Sequence, residues 1–259
     1  MNHRFKGTGV ALATPFQENG NIDFEGLTRL VQLQIKGGTD FLVVQGTTGE
    51  SPVLSQDEKM KVLHHVIDVN QNRLPIVYGL GGNHTADVCS KIKLLPDGVD
   101  GLLSVSPYYN KPLQDGIIAH YKKIAESTDL PIILYNVPGR TSSNVSAATT
   151  LELAKLPNIV AMKEASGDLD QIMEILKNKQ FIIDETYFVW VAEQMKFIKP
   201  VYAHCDVPCG LYETDTMMHA AETCRKMVEK YIDLGKNDDP EHHNQFVRIV
   251  LYKEEHAKK

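Results

Sequence analysis

No stretch of the chain approaches the ~18 consecutive apolar residues of a membrane-spanning helix, so no membrane partner is expected. Basic residues never gather into more than a short run, and a formal net charge of -6 gives the surface the wrong sign for nucleic acid. The opening Met1-Asn2-His3-Arg4-Phe5-Lys6-Gly7 lacks the apolar centre of a signal peptide, which makes a cytoplasmic location the expectation. Cysteine is scarce: Cys89, Cys205, Cys209 and Cys224, three of them in the last quarter of the chain. A disulfide framework spreads its cysteines more evenly, so this clustering points to two ends of different origin.

What is present is ordinary for a globular protein: 42% hydrophobic and 23% charged residues over 259 positions, enough for one large α/β domain or two smaller ones. Short apolar runs recur at Gly9–Ala13, Phe41–Val44, Ile76–Tyr78, Leu102–Val105, Ile132–Tyr135 and Ile159–Met162. Bounded by Gly, Pro, Asp and Asn, they suit strands covered on both faces of a parallel sheet. Helical patterns lie between them. Ser55–Asn70 opens on a capping box of Ser55 and Glu58, and Gln114–Ser127, Ser146–Lys155 and Asp168–Lys177 follow. Strand–helix units at a spacing of ~30 residues predict an α/β fold of the (β/α)-barrel type, but only six units are legible where a complete TIM (β/α)8 barrel needs eight.

In such a barrel the chemistry sits at the C-terminal ends of the strands. The last apolar run delivers Lys163 within Asn158-Ile159-Val160-Ala161-Met162-Lys163-Glu164-Ala165-Ser166-Gly167. An amine among apolar neighbours loses solvation, which favours its neutral form and makes it a nucleophile towards ketones. The same stretch also suits a surface lysine just past a strand. After the second run comes Gln45-Gly46-Thr47-Thr48-Gly49-Glu50-Ser51, whose hydroxyls and backbone amides can cradle a carboxylate or form a ligand-free turn. Ser106-Pro107-Tyr108-Tyr109-Asn110-Lys111-Pro112 and Tyr135-Asn136-Val137-Pro138-Gly139-Arg140-Thr141 follow the fourth and fifth runs. A strand-end tyrosine can relay a proton, and an arginine can grip a carboxylate with two hydrogen bonds.

On these four motifs, residues 1 to about 179 resemble the dihydrodipicolinate synthase branch of the pyruvate-dependent class I aldolase and lyase superfamily, which also holds N-acetylneuraminate lyase. The resemblance implies that Lys163 forms an imine with pyruvate and that no cofactor is needed. It implies a proton relay of Thr47, Tyr135 and Tyr109, the last reaching across from a neighbouring subunit of a homo-oligomer. Thr48 and Gly46 would hold the pyruvate carboxylate, and Arg140 would meet aspartate semialdehyde. The implied reaction condenses pyruvate with L-aspartate 4-semialdehyde to 4-hydroxy-tetrahydrodipicolinate, in lysine and diaminopimelate biosynthesis.

The family's last two strands and C-terminal helical domain have no counterpart here, and residues 181–194 match neither a seventh strand nor a clean linker. From Met195 the text resembles nickel-containing superoxide dismutase: a leader-like Met195–Ala203, then His204-Cys205-Asp206-Val207-Pro208-Cys209-Gly210-Leu211-Tyr212 and helical text to Lys259. Two thiolates four residues apart with an adjacent histidine suit planar Ni(II) or Cu(II), while spacing alone puts zinc first, shared with His219, His242, His243 or His256. The resemblance implies nickel on His204, Cys205 and Cys209, with Tyr212 and Arg248 behind them. In that family the histidine is the mature N-terminus, which implies a cut between Ala203 and His204. The expected organisation is a partial barrel at 1–180, a junction at 181–203 and a nickel-hook segment with short helices at 204–259. The rival functions are a dismutase module and an inactive chimera of two truncated enzymes.

Overall fold

The sheet follows the chain: six strands lie side by side in the order β1-β2-β3-β4-β5-β6, every neighbouring pair parallel. This computed structural model describes residue 5 and residues 7–178. The strands are β1 (Gly9–Ala11), β2 (Phe41–Val44), β3 (Ile76–Gly79), β4 (Gly101–Val105), β5 (Ile132–Asn136) and β6 (Ile159–Glu164). Between and after them run α1 (Phe24–Lys36), α2 (Gln56–Asn70), α3 (Thr85–Ile92), α4 (Gln114–Ala125), the short α5 (Pro138–Thr141), α6 (Ala147–Leu153) and α7 (Leu169–Lys177). Parallel neighbours need a crossover, and helices supply it at each step, as in an incomplete (β/α) barrel.

The side-chain alternation of the strands separates two apolar clusters. Val10, Leu42, Val44, Ile76, Tyr78, Leu102, Ile132 and Leu134 face the helices, meeting Leu27, Val31, Leu63, Val66, Ile117, Tyr121 and Ile124. The opposite set is Phe5, Ala11, Phe41, Val43, Val77, Leu103, Ile133, Tyr135 and Ala161, on the side that becomes the interior of a barrel. The expectation of strands covered on both faces holds for β1, β2 and β5. It fails for β6, where Ile159, Ala161 and Lys163 are buried while Val160, Met162 and Glu164 are only half-buried. Among the described residues β6 and β1 are the two ends of the sheet.

The expected helices occur with their caps. Ser55 accepts from the Glu58 amide at 3.3 Å while Glu58 Oε2 accepts from the Ser55 amide at 2.8 Å, the reciprocal box that the sequence foretold. Asp168 accepts from the Gln171 amide and so opens α7. Three helices were not anticipated, the short α5 among them. α1 is announced by Asp23, which accepts from the Gly26 amide, but α3 starts at His84 without any side-chain cap. Residues 181–203, the hook at His204, Cys205 and Cys209, Tyr212, Arg248 and the helical text to Lys259 lie outside the described residues. No helix among the described residues is long and apolar enough to cross a membrane.

One buried group on α4 makes the fold sensitive to acid. His120 is 4% exposed, bonded through Nδ1 to Thr85 Oγ1 at 2.8 Å, and its Nε2 has no partner. Burial lowers its pKa from 6.5 to about 4. Between those values the unfolded chain binds a proton that the folded chain refuses, so stability falls as pH drops through this window. At ~1.4 kcal/mol per unit, the loss attributable to His120 is roughly 2–3 kcal/mol by pH 4. Urea titrations from pH 7 to pH 4 should show that slope, and His120→Gln should flatten it.

Candidate active site

The site is built where β5 and β6 end together. Tyr135 and Lys163 are paired in register on these adjacent strands, and both side chains turn to the interior face. Lys163 is 7% exposed, with Nζ 4.4 Å from the centroid of the Tyr135 ring. Burial, with a smaller contribution from the positive charge of Arg140, lowers its pKa from 10.5 to about 8. At neutral pH an appreciable fraction of the amine is therefore unprotonated, as a nucleophilic lysine requires. The reading of Lys163 as a surface residue is excluded by its burial.

The Tyr135 hydroxyl lies 3.5 Å from Thr47 Oγ1, which joins the end of β2 to the lysine. Thr47 begins the 3-10 turn Thr47–Gly49, entered from Gly46. Two backbone amides of this turn are already engaged. The Gly49 amide donates to Gly46 O at 3.0 Å and the Glu50 amide to Thr47 O at 3.1 Å, so these two amides close the turn instead of facing an anion. What the turn does offer is the Thr48 hydroxyl, buried and without a hydrogen-bond partner. A buried polar atom left unpaired costs free energy that a bound acceptor or donor recovers.

The remaining expected residues lie further out. Arg140 is exposed on α5, near enough for its charge to act on Lys163. Tyr109 is 86% exposed and left-handed at φ 67°, so it faces outward from the loop after β4. No group of three or more His, Cys, Asp or Glu side chains that could hold a metal occurs among the described residues.

Sequence reasoning gave no role to a polar network directly behind the lysine. Asn136 and Glu164, the residues after Tyr135 and Lys163, are paired across β5 and β6 and hydrogen-bonded through their side chains at 3.0 and 3.1 Å. Two polar residues ending adjacent buried strands were the available signal. Gln45 was missed as well: it is 3% exposed, left-handed at φ 60°, with neither end of its carboxamide paired.

Fold and site together define an incomplete (β/α) barrel with a desolvated lysine at the end of its sixth strand. The chain belongs to the dihydrodipicolinate synthetase family, whose model matches residues 4–196. Residues 199–259 match a second model, that of nickel-containing superoxide dismutase. The 4-hydroxy-tetrahydrodipicolinate synthase of Cytophaga hutchinsonii is 50% identical over 177 residues, covering 68% of this chain and 60% of that protein. Its counterpart from Koribacter versatilis is 52% identical over 178 residues, covering 68% of this chain and 59% of the relative. The crystal structure of dihydrodipicolinate synthase from Thermotoga maritima superposes with a TM-score of 0.68 at 41% identity, covering 73% of this chain and 64% of that one. The chain thus spans about three fifths of the length of the curated relatives it matches.

Proposed function

We propose that residues 1–180 carry a cytoplasmic imine-forming lyase activity that condenses pyruvate with L-aspartate 4-semialdehyde to 4-hydroxy-tetrahydrodipicolinate. The observation that carries this reading is the buried amine of Lys163, its pKa lowered to about 8, in contact with Tyr135. In this reading the neutral amine adds to the keto carbon of pyruvate, and the carbinolamine loses water to become a protonated imine. That imine draws electrons from the methyl group, a proton leaves, and the resulting enamine carbon adds to the aldehyde. Tyr135 and Thr47, 3.5 Å apart, pass protons to and from the carbinolamine oxygen. The unpartnered Thr48 hydroxyl, beside Gly46, receives the pyruvate carboxylate, and Arg140 receives that of the semialdehyde. The exposure of Tyr109 supports its reaching into a second copy, hence a homo-oligomer. Borohydride reduction with pyruvate tests the reading: a stable three-carbon adduct on Lys163 is expected, and its absence from folded protein rejects it.

The match of residues 199–259 supports a second, separate activity in the segment 204–259, with 181–203 as a junction. His204, Cys205 and Cys209 offer thiolate and imidazole donors of the kind that hold Ni(II), whose one-electron redox chemistry would serve superoxide dismutation. Protein cut between Ala203 and His204 should bind about one nickel per chain by elemental analysis, since cleavage frees the histidine amine as a further donor. Zinc alone, or no metal, would reject this activity.

A further inference from the structure

We infer that Glu164 is a positioning residue for Lys163, locking the ends of β5 and β6 together through a network that accepts only a carboxylate at that place. The inference rests on the imine-forming reading of Lys163.

The network is pinned by the backbone of one residue, Val145. Its N–H donates to Asn136 Oδ1 at 3.0 Å, and its C=O accepts from Gln171 Nε2 at 3.1 Å. These two bonds fix the orientation of both carboxamides. Asn136 must then point its NH2 at Glu164, at 3.0 and 3.1 Å, and at Asn144 Oδ1, at 2.7 Å. Asn144 in turn donates to Gln171 Oε1 at 2.8 Å. Gln171 Nε2 donates to Glu164 Oε2 at 2.9 Å, and the Ser166 amide to Glu164 Oε1 at 2.8 Å.

Glu164 therefore meets N–H donors from β5, from α7 and from its own turn. An ionised carboxylate, which only accepts, satisfies all of them. A carboxamide would turn an NH2 against one of these donors, and no flip elsewhere relieves it because Val145 holds the others. No ion pair involving Glu164 occurs among the described residues. Asn136 is fully buried and Gln171 is 8% exposed, so the lock is shielded on its β5 and α7 side, while Glu164 is half-buried and Asn144 exposed.

Its place links it to the chemistry. Glu164 follows Lys163, Asn136 follows Tyr135, and the segment from Val137 to Val145 that carries Arg140 is tied down at Asn144 and Val145. Loosening it would move the lysine from the Tyr135 ring and admit water. The pKa of Lys163, lowered chiefly by burial, would then rise towards that of a free lysine.

The test is the rate of borohydride-trapped pyruvate adduct on Lys163 as a function of pH, with thermal unfolding followed in parallel. Glu164→Gln should lower the rate ~10- to 100-fold, as a misplacement of the amine of up to about 1 Å would do. It should also raise the pH midpoint by about half a unit or more as solvation returns. Asn70→Ala removes a buried amide that bonds the Leu74 backbone far from the site, and should reduce stability without moving the midpoint. Should Glu164→Gln fail to fold, Gln171→Leu removes one donor and should move the midpoint the same way. An unchanged rate and midpoint in a folded variant, or an equal midpoint shift in Asn70→Ala, overturns the inference. Absence of an adduct on the unaltered chain would instead reject the imine-forming reading itself.

Discussion

Lys163→Met should abolish the pyruvate adduct and at the same time make the protein more stable at neutral pH. Both effects have one cause. The folded chain holds this amine out of water, and the ammonium form bears the cost. A pKa moved from 10.5 to about 8 corresponds, at ~1.4 kcal/mol per unit, to about 3 kcal/mol of destabilisation wherever the unfolded lysine is protonated and the folded one is forced to match it. The sign follows from proton counting. Between pH 8 and 10.5 the unfolded state binds more protons than the folded state, so the stability of the unaltered chain rises with pH across that window. Below about pH 8 both states are protonated and the full cost stands. Methionine fills a similar volume with no charge, so the variant should unfold about 2–3 kcal/mol later at pH 7, and the gap should close as pH approaches 10.5.

Trapping on the unaltered chain has the complementary profile. Its rate should climb through a midpoint near the amine's pKa of about 8, because only the unprotonated form attacks the ketone. A midpoint near 10.5 would mean a solvated lysine, and an adduct that survives in Lys163→Met would place the nucleophile elsewhere. A variant that gains stability as it loses chemistry is the pattern expected of a strained functional group.

The strand ends were legible because apolar runs bounded by polar punctuation are a local signal, and Lys163, Tyr135 and Thr47 all stand at such ends. The way Lys163 faces was not legible. Counting alternately from Ile159, which packs on the helices, places Ala161 and Lys163 on the helix side as well. The structure instead has an irregularity in the β5–β6 pairing: Ile132 is opposite Ile159, yet Ile133 is opposite Ala161, so Val160 is skipped. That single extra residue turns Ala161 and Lys163 inward and sets the lysine against Tyr135. Nothing in the local composition of Ile159-Val160-Ala161-Met162 marks it. Asn136 and Glu164 went unassigned for a related reason, since their partners Asn144 and Gln171 come from a loop and a later helix that only the tertiary fold brings together. The turn at Gly46 stayed open between a carboxylate cradle and a ligand-free turn, because spacing does not reveal that the Gly49 and Glu50 amides bond back onto it.

That turn is held against β3 by a glycine, which leads to the second large effect. Gly79 ends β3, and a Cβ added there would lie 2.3 Å from Gln45 O, 2.6 Å from Gln45 C and 2.9 Å from Gly46 N. These are backbone atoms, so no side-chain rotation relieves the overlap, and Gln45 is already left-handed at φ 60°. Gly79→Ala must therefore push the Gln45–Gly46 peptide, which leads into Thr47 and Thr48. The expected cost is about 3 kcal/mol, the upper end for overpacking a tight interior. The Thr47 hydroxyl, 3.5 Å from the Tyr135 oxygen, moves with it, and trapping on Lys163 should slow by ~100-fold for a displacement of about 1 Å. Gly139→Ala is the matched comparison, because a Cβ there meets nothing within 4 Å and should change stability by less than about 0.5 kcal/mol. Thermal unfolding and the pyruvate trap read both outcomes in one preparation. If Gly79→Ala melts and traps like the unaltered chain, the turn is not braced by β3, and the placement of Thr47 and Thr48 depends on contacts other than this one.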